Sequence, residues 1–415
     1  MKTIKQRFAG LSIMGIVMAL ALTAIYAPAA MAHGEKSQAA FMRMRTIHWY
    51  DISWFEKDSY EVNESTEYSG KFYVFPGWPE TVDEPDVAFL NVGEPGPVFI
   101  RTGAWVGGKM VPRSIALELG ETYEWRITLK ARRPGDWHVH PMLSVKGGGP
   151  IIGPGKWVTI TGSMRDFKNP VTTLTGLTMD LETYNLGNTV FWSALWYVIG
   201  VAWMVYWCVR PIFIPRYMAL QAGKEDELIT PRDKKVGMAF MAGTIFLTAY
   251  GMASTNSKYP ITTPLQAGVI RGIEPIEIEE PTVKVSVIEG SYRVPGRAME
   301  MKLEVTNNGD SAVQLGEFNT ASVRFLDPAV LEDDSDYPED LLAEEGLTVD
   351  DNSPLQPGET RIMTVTASDA AWEVYRLADI IYDPDSRFAG LLFFFDESGG
   401  RQLVHVDAPL IPSFM

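Results

Sequence analysis

The 415-residue chain reads as a mainly β protein in which two β-sandwich domains are joined by a two-helix transmembrane hairpin. Three observations predict this. Short alternating strand patterns recur on both sides of two long uncharged runs. The 36 Gly and 27 Pro supply many turns between them. A hydrophobic content of 46%, with 12 Trp, 16 Tyr and 19 Phe, provides enough apolar surface for real cores and excludes a disordered chain. At about 150 residues per domain, the length accommodates two or three units.

Taken in order, Lys2, Lys5 and Arg7 precede an apolar run over 11–26, and Ala30-Met31-Ala32 has the small-x-small form that signal peptidase accepts. Residues 1–32 are therefore read as a signal peptide, and the mature chain begins at His33. Residues 33–187 form the first external domain, with strands predicted over 71–75, 87–91, 97–100 and 122–129. Residues 188–254 form the hairpin. Its spans cover 189–209, whose uncharged residues would rise about 31 Å as a helix, and 236–253. The loop 210–235 carries Arg210, Arg216, Lys224, Arg232, Lys234 and Lys235, against Asp180, Glu182 and a single lysine, Lys258, on the outer flanks. The positive-inside rule puts that loop in the cytoplasm and both large domains outside. Neither span contains an ionisable Asp, Glu, Lys, Arg or His, which argues against an ion pathway. Trp192, Trp196, Trp203 and Trp207 fall on helical spacing and read as packing against lipid or partner helices. Residues 255–415 form the second external domain, with strands over 282–288, 300–306, 322–326, 361–366 and 391–395.

A weak repeat relates the two domains. Phe89-Leu90-Asn91 precedes Gly120-Glu121-Thr122 much as Phe325-Leu326-Asp327 precedes Gly358-Glu359-Thr360. Duplication of one sandwich explains this. Continuing the register sets Trp137-His138-Val139-His140 against Trp372-Glu373-Val374-Tyr375, so the second copy would lack the histidine pair and serve for packing.

Charge and cysteine usage narrow the chemistry. Beyond residue 32 there are 33 basic against 52 acidic groups, a net charge of −19 that argues against nucleic acid or an anionic lipid surface as partner. The single Cys208 excludes an internal disulfide framework, a multi-thiolate zinc site and a cysteine-ligated copper site in the external domains. Metal ligands must then be nitrogen or oxygen, and the histidines are His33, His48, His138, His140 and His405. After the turn sequence 133–136, His138 and His140 alternate on a strand and project from one face. Cleavage after Ala32 would let His33 present its α-amine and ring nitrogen together. With an unperturbed pKa of about 7.7 to 8.0, that amine yields its proton readily to a metal. Amine plus three imidazoles is an all-nitrogen set suited to copper, with zinc as the chemical competitor. Glu35 is in position to support the site from behind its ligands.

Other patterns carry less. Gly147 to Lys156 fails as a phosphate loop because Trp157 follows Lys156. Met42-x-Met44 and Met299-x-Met301 read as packing rather than thioether ligands. Asp333-Asp334-Ser335-Asp336 and Asp383-Pro384-Asp385 read as solvated turns, because neither matches a calcium loop. No Ser-His-Asp or Cys-His nucleophile can be assembled.

The segments HGEKSQAAFMR (33–43), KARRPGDWHVH (130–140), GGGPIIGPGKW (147–157) and APLIPSFM (408–415) closely resemble the B subunits of the particulate methane monooxygenases, with the ammonia monooxygenase homologue as near kin. The resemblance covers essentially the whole chain. It implies two periplasmic cupredoxin-like domains, copper held by the amino-terminal His33 with His138 and His140, and assembly with subunits A and C into a trimer of heterotrimers. It also implies a bacterial inner or intracytoplasmic membrane location and oxidation of methane to methanol with O2 and a quinol-type donor. Ammonia as substrate, or a copper-binding scaffold with oxidation in the membrane subunits, are the alternatives. Some members pair the equivalent of His48 with a second histidine in a second copper site. Here that position is Tyr73, and His405 is the available replacement if the carboxy terminus packs near His48.

Overall fold

The structure is a computed structural model that describes residues 38–173, 176–209, 213–260, 268–331, 336–383 and 385–414. The expected signal peptide (1–32), His33 and Glu35 lie outside the described residues. A short helix α1 (Ala40–Met44) leads into the first sandwich, whose strands are β1 (Ile47–Ser53), β2 (Ser59–Glu61), β3 (Ser65–Val74), β4 (Ala88–Gly93), β5 (Phe99–Val106), β6 (Lys109–Met110), β7 (Thr122–Ala131), β8 (Gly135–Val145), β9 (Gly149–Ile152) and β10 (Lys156–Thr161). One sheet has the order β1-β3-β7-β5-β6, and the facing sheet has the order β2-β10-β8-β4, with β9 folded back on β8. The period-two pattern is clearest in β7, where Tyr123, Trp125, Ile127, Leu129 and Ala131 are buried and Glu124 and Arg126 are exposed. Trp125 meets Trp49 and Tyr68 edge-on, with ring centroids at 5.4 and 5.0 Å, in the middle of this core.

A small hairpin, β11 (Pro170–Thr172) with β12 (Thr178–Asp180), leads to the helices α2 (Leu186–Cys208), α3 (Ile214–Gln221) and α4 (Pro231–Lys258). Helices α2 and α4 are long and apolar enough to cross a membrane and bury nothing within the two sandwiches. Their shared face sets tryptophans against glycines, Trp192 by Gly251 and Trp203 by Gly237, with the Trp203 ring also 4.9 Å from Phe240. Tyr184 and Tyr259 join hydroxyls at one end (2.7 Å), and Tyr206 donates to Asp233 at the other (2.6 Å). A capping box between Thr230 and Asp233 starts α4.

The second sandwich contains β13 (Val283–Val294), β14 (Ala298–Asn307), β15 (Val313–Thr320), β16 (Val323–Leu326), β17 (Leu342–Ala343), β18 (Leu347–Val349), β19 (Thr360–Ser368), β20 (Arg387–Asp396), β21 (Arg401–Pro409) and β22 (Ile411–Phe414), with a short helix α5 (Ala371–Val374) after β19. Its sheets have the orders β18-β19-β14-β13-β22 and β17-β16-β15-β20-β21. Strand β14 buries Met299, Met301, Leu303 and Val305 between exposed Glu300, Lys302 and Glu304, so both methionines of the Met-x-Met motif are core residues. Every strand named from the sequence is present.

The two sandwiches dock on each other. Tyr50, Tyr73 and Phe75 of the first form one buried cluster with Ala389, Leu391 and Phe393 of the second. Helix α1 is wedged between the cores: Ala40 and Met44 belong to the second core, and Met42 belongs to the first. Arg43 donates to the Tyr375 carbonyl, Arg45 pairs with Asp385, Lys156 pairs with Asp336, and Arg401 meets Asp51 at 2.7 Å. Asp336 and Asp385, one from each aspartate-rich motif, are thus engaged by cations from the first sandwich.

The repeat register requires a correction. The strand β8 segment around His138 has no counterpart at Trp372-Glu373-Val374-Tyr375, because that segment is helix α5 and the following turn. Trp372 and Tyr375 are fully buried, with the Trp372 indole donating to the Ala367 carbonyl (3.0 Å). The strand that follows β19 into the facing sheet is β20, and a helical excursion separates the two. Burial of two large rings, rather than strand alternation, accounts for the apolar pattern there.

Candidate metal centre

The turn before β8 is locked by its own side chains. Gly135 adopts φ +133°, the Trp137 indole donates to the Arg133 carbonyl (2.9 Å), and the Arg133 guanidinium lies over the Trp137 ring at 4.6 Å. Strand alternation then brings His138 and His140 together as the spacing predicts. Their ring centroids are 4.5 Å apart and their planes are nearly perpendicular at 87°. His140 is 5% exposed, and His138 is partly open to solvent beside Trp157, its cross-strand partner on β10, at 5.1 Å.

The segment between β9 and β10 orients this pair. His140 Nδ1 donates to the Gly153 carbonyl at 3.0 Å, which leaves the ring's lone pair on Nε2. Gly155 lies against both rings: a Cβ there would sit 2.4 Å from His140 Cε1 and 2.7 Å from His138 Cε1. Only glycine lets the chain pass that close. The Gly147 to Lys156 stretch, which fails as a phosphate loop, is therefore a hairpin and a cover over two imidazoles, with no helix following it. Its Gly-Pro-Gly run marks a turn, but nothing local in the sequence names the rings it touches.

The start of the described chain reaches the same place. Gln38 donates through Nε2 to the Pro150 carbonyl (2.5 Å) and accepts at Oε1 from the Ile152 amide (3.3 Å). His33 is five residues upstream, a span of at most about 18 Å. Two convergent imidazoles, one of them held by a backbone carbonyl and both covered by a side-chain-free residue, fit a nitrogen-ligated metal that completes its shell from a third source. Among the described residues, no group of three or more His, Cys, Asp or Glu is arranged to hold a metal.

His48 and His405 lie on either side of the contact made by Tyr73 at the domain interface. His48 is 3% exposed, faces Tyr73 across β1 and β3, and contacts the Met44 carbonyl through Nε2 at 2.5 Å. The Tyr73 ring stacks on His405 with centroids 3.5 Å apart and planes within 5°. Burial lowers the His48 pKa to about 4 against the opposing pull of the Met44 carbonyl. Burial also lowers His405 to about 3, helped by the nearby His48. Both rings are neutral at neutral pH, and Nδ1 of each is buried without a hydrogen-bond partner. The carboxy-terminal sandwich thus does bring His405 to the His48 region, with Tyr73 beside both.

The family profile and the curated relative agree on one family. A family profile described as the monooxygenase B-subunit protein matches residues 34–414. A curated relative from Methylococcus capsulatus (strain ATCC 33009 / NCIMB 11132 / Bath), named particulate methane monooxygenase alpha subunit, is 67% identical over 415 residues, covering all of both chains. Among solved structures, the cupredoxin domain of amoB from Nitrosocaldus yellowstonii aligns at 14% identity over 29% of this chain and 91% of that one, with a TM-score of 0.23. The fibronectin(III)-like modules of Clostridium thermocellum CbhA align at 6% identity over 87% and 94%, with a TM-score of 0.14. Matched over nearly its whole length by the profile and over its full length by the Methylococcus relative, the chain belongs to the monooxygenase B-subunit family.

Proposed function

We propose that this chain is the copper-binding subunit of a membrane methane monooxygenase that oxidises methane to methanol with O2 and a quinol-type reductant, in assembly with subunits A and C. The copper ligands are the His33 amine and ring together with His138 and His140. The observation that carries the reading is the perpendicular histidine pair 4.5 Å apart under Gly155, with no thiolate or carboxylate cluster among the described residues to compete for the metal. Full-length identity of 67% to a protein named as a particulate methane monooxygenase subunit supports the substrate.

Copper bound there supplies a redox-active centre able to work on dioxygen. The chain's own contribution is positional. The Gly153 carbonyl holds His140 in one tautomer, Trp157 packs against His138, and Gly155 leaves the rings their space. The two domains, 33–187 and 255–415, are periplasmic in this reading, residues 1–32 are removed on export, and the 188–254 hairpin anchors the subunit. The cationic loop containing Arg216, Lys224, Arg232, Lys234 and Lys235 supports that orientation.

A second reading, a copper-loaded scaffold with oxidation elsewhere in the complex, is favoured by the position of the histidine pair in an external sandwich, whereas the described residues of α2 and α4 bring no metal-binding cluster. Replacing His138 and His140 together in an assembled complex separates the two. Loss of methanol formation supports a catalytic role, and full turnover supports the scaffold. Membranes that preferred ammonia, forming hydroxylamine in place of methanol, would overturn the substrate assignment.

A further inference from the structure

We propose that Tyr68 is a positioning residue for the metal centre: from the facing sheet, its hydroxyl fixes the covering segment 153–155 and so keeps His140 in its bond to the Gly153 carbonyl. This rests on the reading of His138 and His140 as copper ligands and does not depend on where the third ligand comes from.

Residues 153–155 connect β9 to β10 without belonging to either strand, yet all three are buried. Buried irregular backbone must find its hydrogen bonds outside a sheet ladder. The Gly153 amide donates to the Pro141 carbonyl (2.8 Å), and the Gly153 carbonyl accepts from His140 Nδ1 (3.0 Å). The next carbonyl along the chain, that of Pro154, accepts from the Tyr68 hydroxyl at 3.1 Å in a bond buried from solvent. Gly155, which lies against both imidazoles, follows directly. Tyr68 stands on β3, in the sheet opposite the one that carries the histidines on β8, so the bond crosses the sandwich.

Packing alone does not call for an oxygen at this position. Tyr68 is 0% exposed, and its ring packs on Phe55, Trp125 and Trp54 with centroids at 4.9, 5.0 and 5.6 Å. Phe55, Phe72 and Phe99 fill the same core with plain phenyl rings. Burying a hydroxyl is costly unless it is bonded, and the Pro154 carbonyl supplies the bond. Removing the hydroxyl takes this donor away from a buried carbonyl. With a glycine on each side of Pro154 the segment turns easily to seek another donor, and the Gly153 carbonyl moves off His140 Nδ1. His140 then loses the contact that reserves its lone pair for Nε2. Loss of an orienting partner weakens metal binding about 10- to 100-fold, and because Tyr68 acts through the segment the lower end, about tenfold, is expected.

The test compares Tyr68→Phe with Tyr123→Phe in the full detergent-solubilised complex. Tyr123 is the control, 1% exposed in the same core, with a hydroxyl that accepts from the Glu118 amide at 3.1 Å. Copper affinity is measured by competition with a chromophoric chelator. Electron spin echo spectroscopy of Cu(II) then reads the remote imidazole nitrogens, whose quadrupole couplings follow the hydrogen bond made there. Tyr68→Phe should bind copper about tenfold more weakly and change the remote coupling of one imidazole, whereas Tyr123→Phe should change neither. A purely structural role would lower the unfolding midpoint and leave the remote coupling as it was. Unchanged affinity, an unchanged coupling, or the same changes in Tyr123→Phe would overturn the proposal. If replacing His138 and His140 together leaves copper affinity and the coupling unchanged, the ligand reading itself fails and the role of Tyr68 falls with it. That outcome is distinct from a failure confined to Tyr68.

Discussion

Substituting Gly155→Ala puts one methyl group into the candidate centre and little else. The Gly155 φ lies outside the left-handed range, so alanine is compatible with the backbone. Its Cβ would sit 2.4 Å from His140 Cε1, 2.5 Å from His140 Nδ1 and 2.7 Å from His138 Cε1, where ordinary contact begins at 3.4 Å. Both rings must give way, His140 by about 1 Å and His138 by somewhat less, several times the roughly 0.2 Å tolerance of a metal–nitrogen bond. Displacement of His140 also strains its bond to the Gly153 carbonyl. Overpacking of this kind costs about 1–3 kcal/mol, and disturbance of the groups that orient metal ligands costs about 10- to 100-fold in metal affinity. Chelator competition on the intact complex should therefore show copper binding weakened by that factor, with circular dichroism unchanged. Gly149→Ala is the control. No atom lies within 4 Å of its Cβ position, but its φ is +83°, so it should lose stability while keeping its copper. A Gly155→Ala complex with native copper affinity would refute the claim that this residue keeps the two rings in place.

Three further outcomes follow from the domain interface. His48 is neutral in the folded chain down to about pH 4 but binds a proton near pH 6.5 when unfolded, so stability present above pH 6.5 is lost as pH falls toward 4. The loss is about 1.4 kcal/mol per pH unit, roughly 3 kcal/mol in all. His405, lowered to about 3, adds a similar dependence, so His48→Phe should remove the His48 share of the slope of the unfolding midpoint in this range and leave the His405 share, and an unchanged slope would show that His48 contributes none of it. Tyr73→His places an imidazole directly across the β1–β3 pair from His48 and beside His405; it should raise copper content by about one equivalent, and metal analysis showing no gain would contradict this. Arg401→Ala removes a partly solvated ion pair with Asp51 and its packing on Phe393. A stability loss of about 1 kcal/mol or less is expected, with faster proteolysis between the domains, and a loss of several kcal/mol would mean that the pair is more strongly desolvated than its exposure indicates.

How much of this was legible in the sequence depends on whether the controlling contact is local. Strands such as Thr122–Ala131 and Ala298–Asn307 were readable because burial follows a two-residue period that composition displays directly. The convergence of His138 and His140 follows from the same period and needs no distant partner. Helix α1 was not readable: five residues are too few to show periodicity, and its partners include Tyr375, more than 300 residues away. The assignment of Met42 and Met44 to packing was correct, but their division between two cores depends on docking that only the assembled chain reveals. Trp372-Glu373-Val374-Tyr375 misled because its spacing of large rings resembles a strand while the segment buries them from a single helical turn. The stacking of His405 on Tyr73 is likewise a consequence of docking.

The central claim is that copper is held by His33, His138 and His140. Pulsed EPR on the purified complex, with histidine labelled with nitrogen-15, measures this directly because it resolves which nitrogens couple to Cu(II). The account predicts couplings to imidazole nitrogens and to one amine, abolished together when His138 and His140 are replaced and unaffected by His405→Ala. An unchanged spectrum in the His138→Ala, His140→Ala double variant would contradict it.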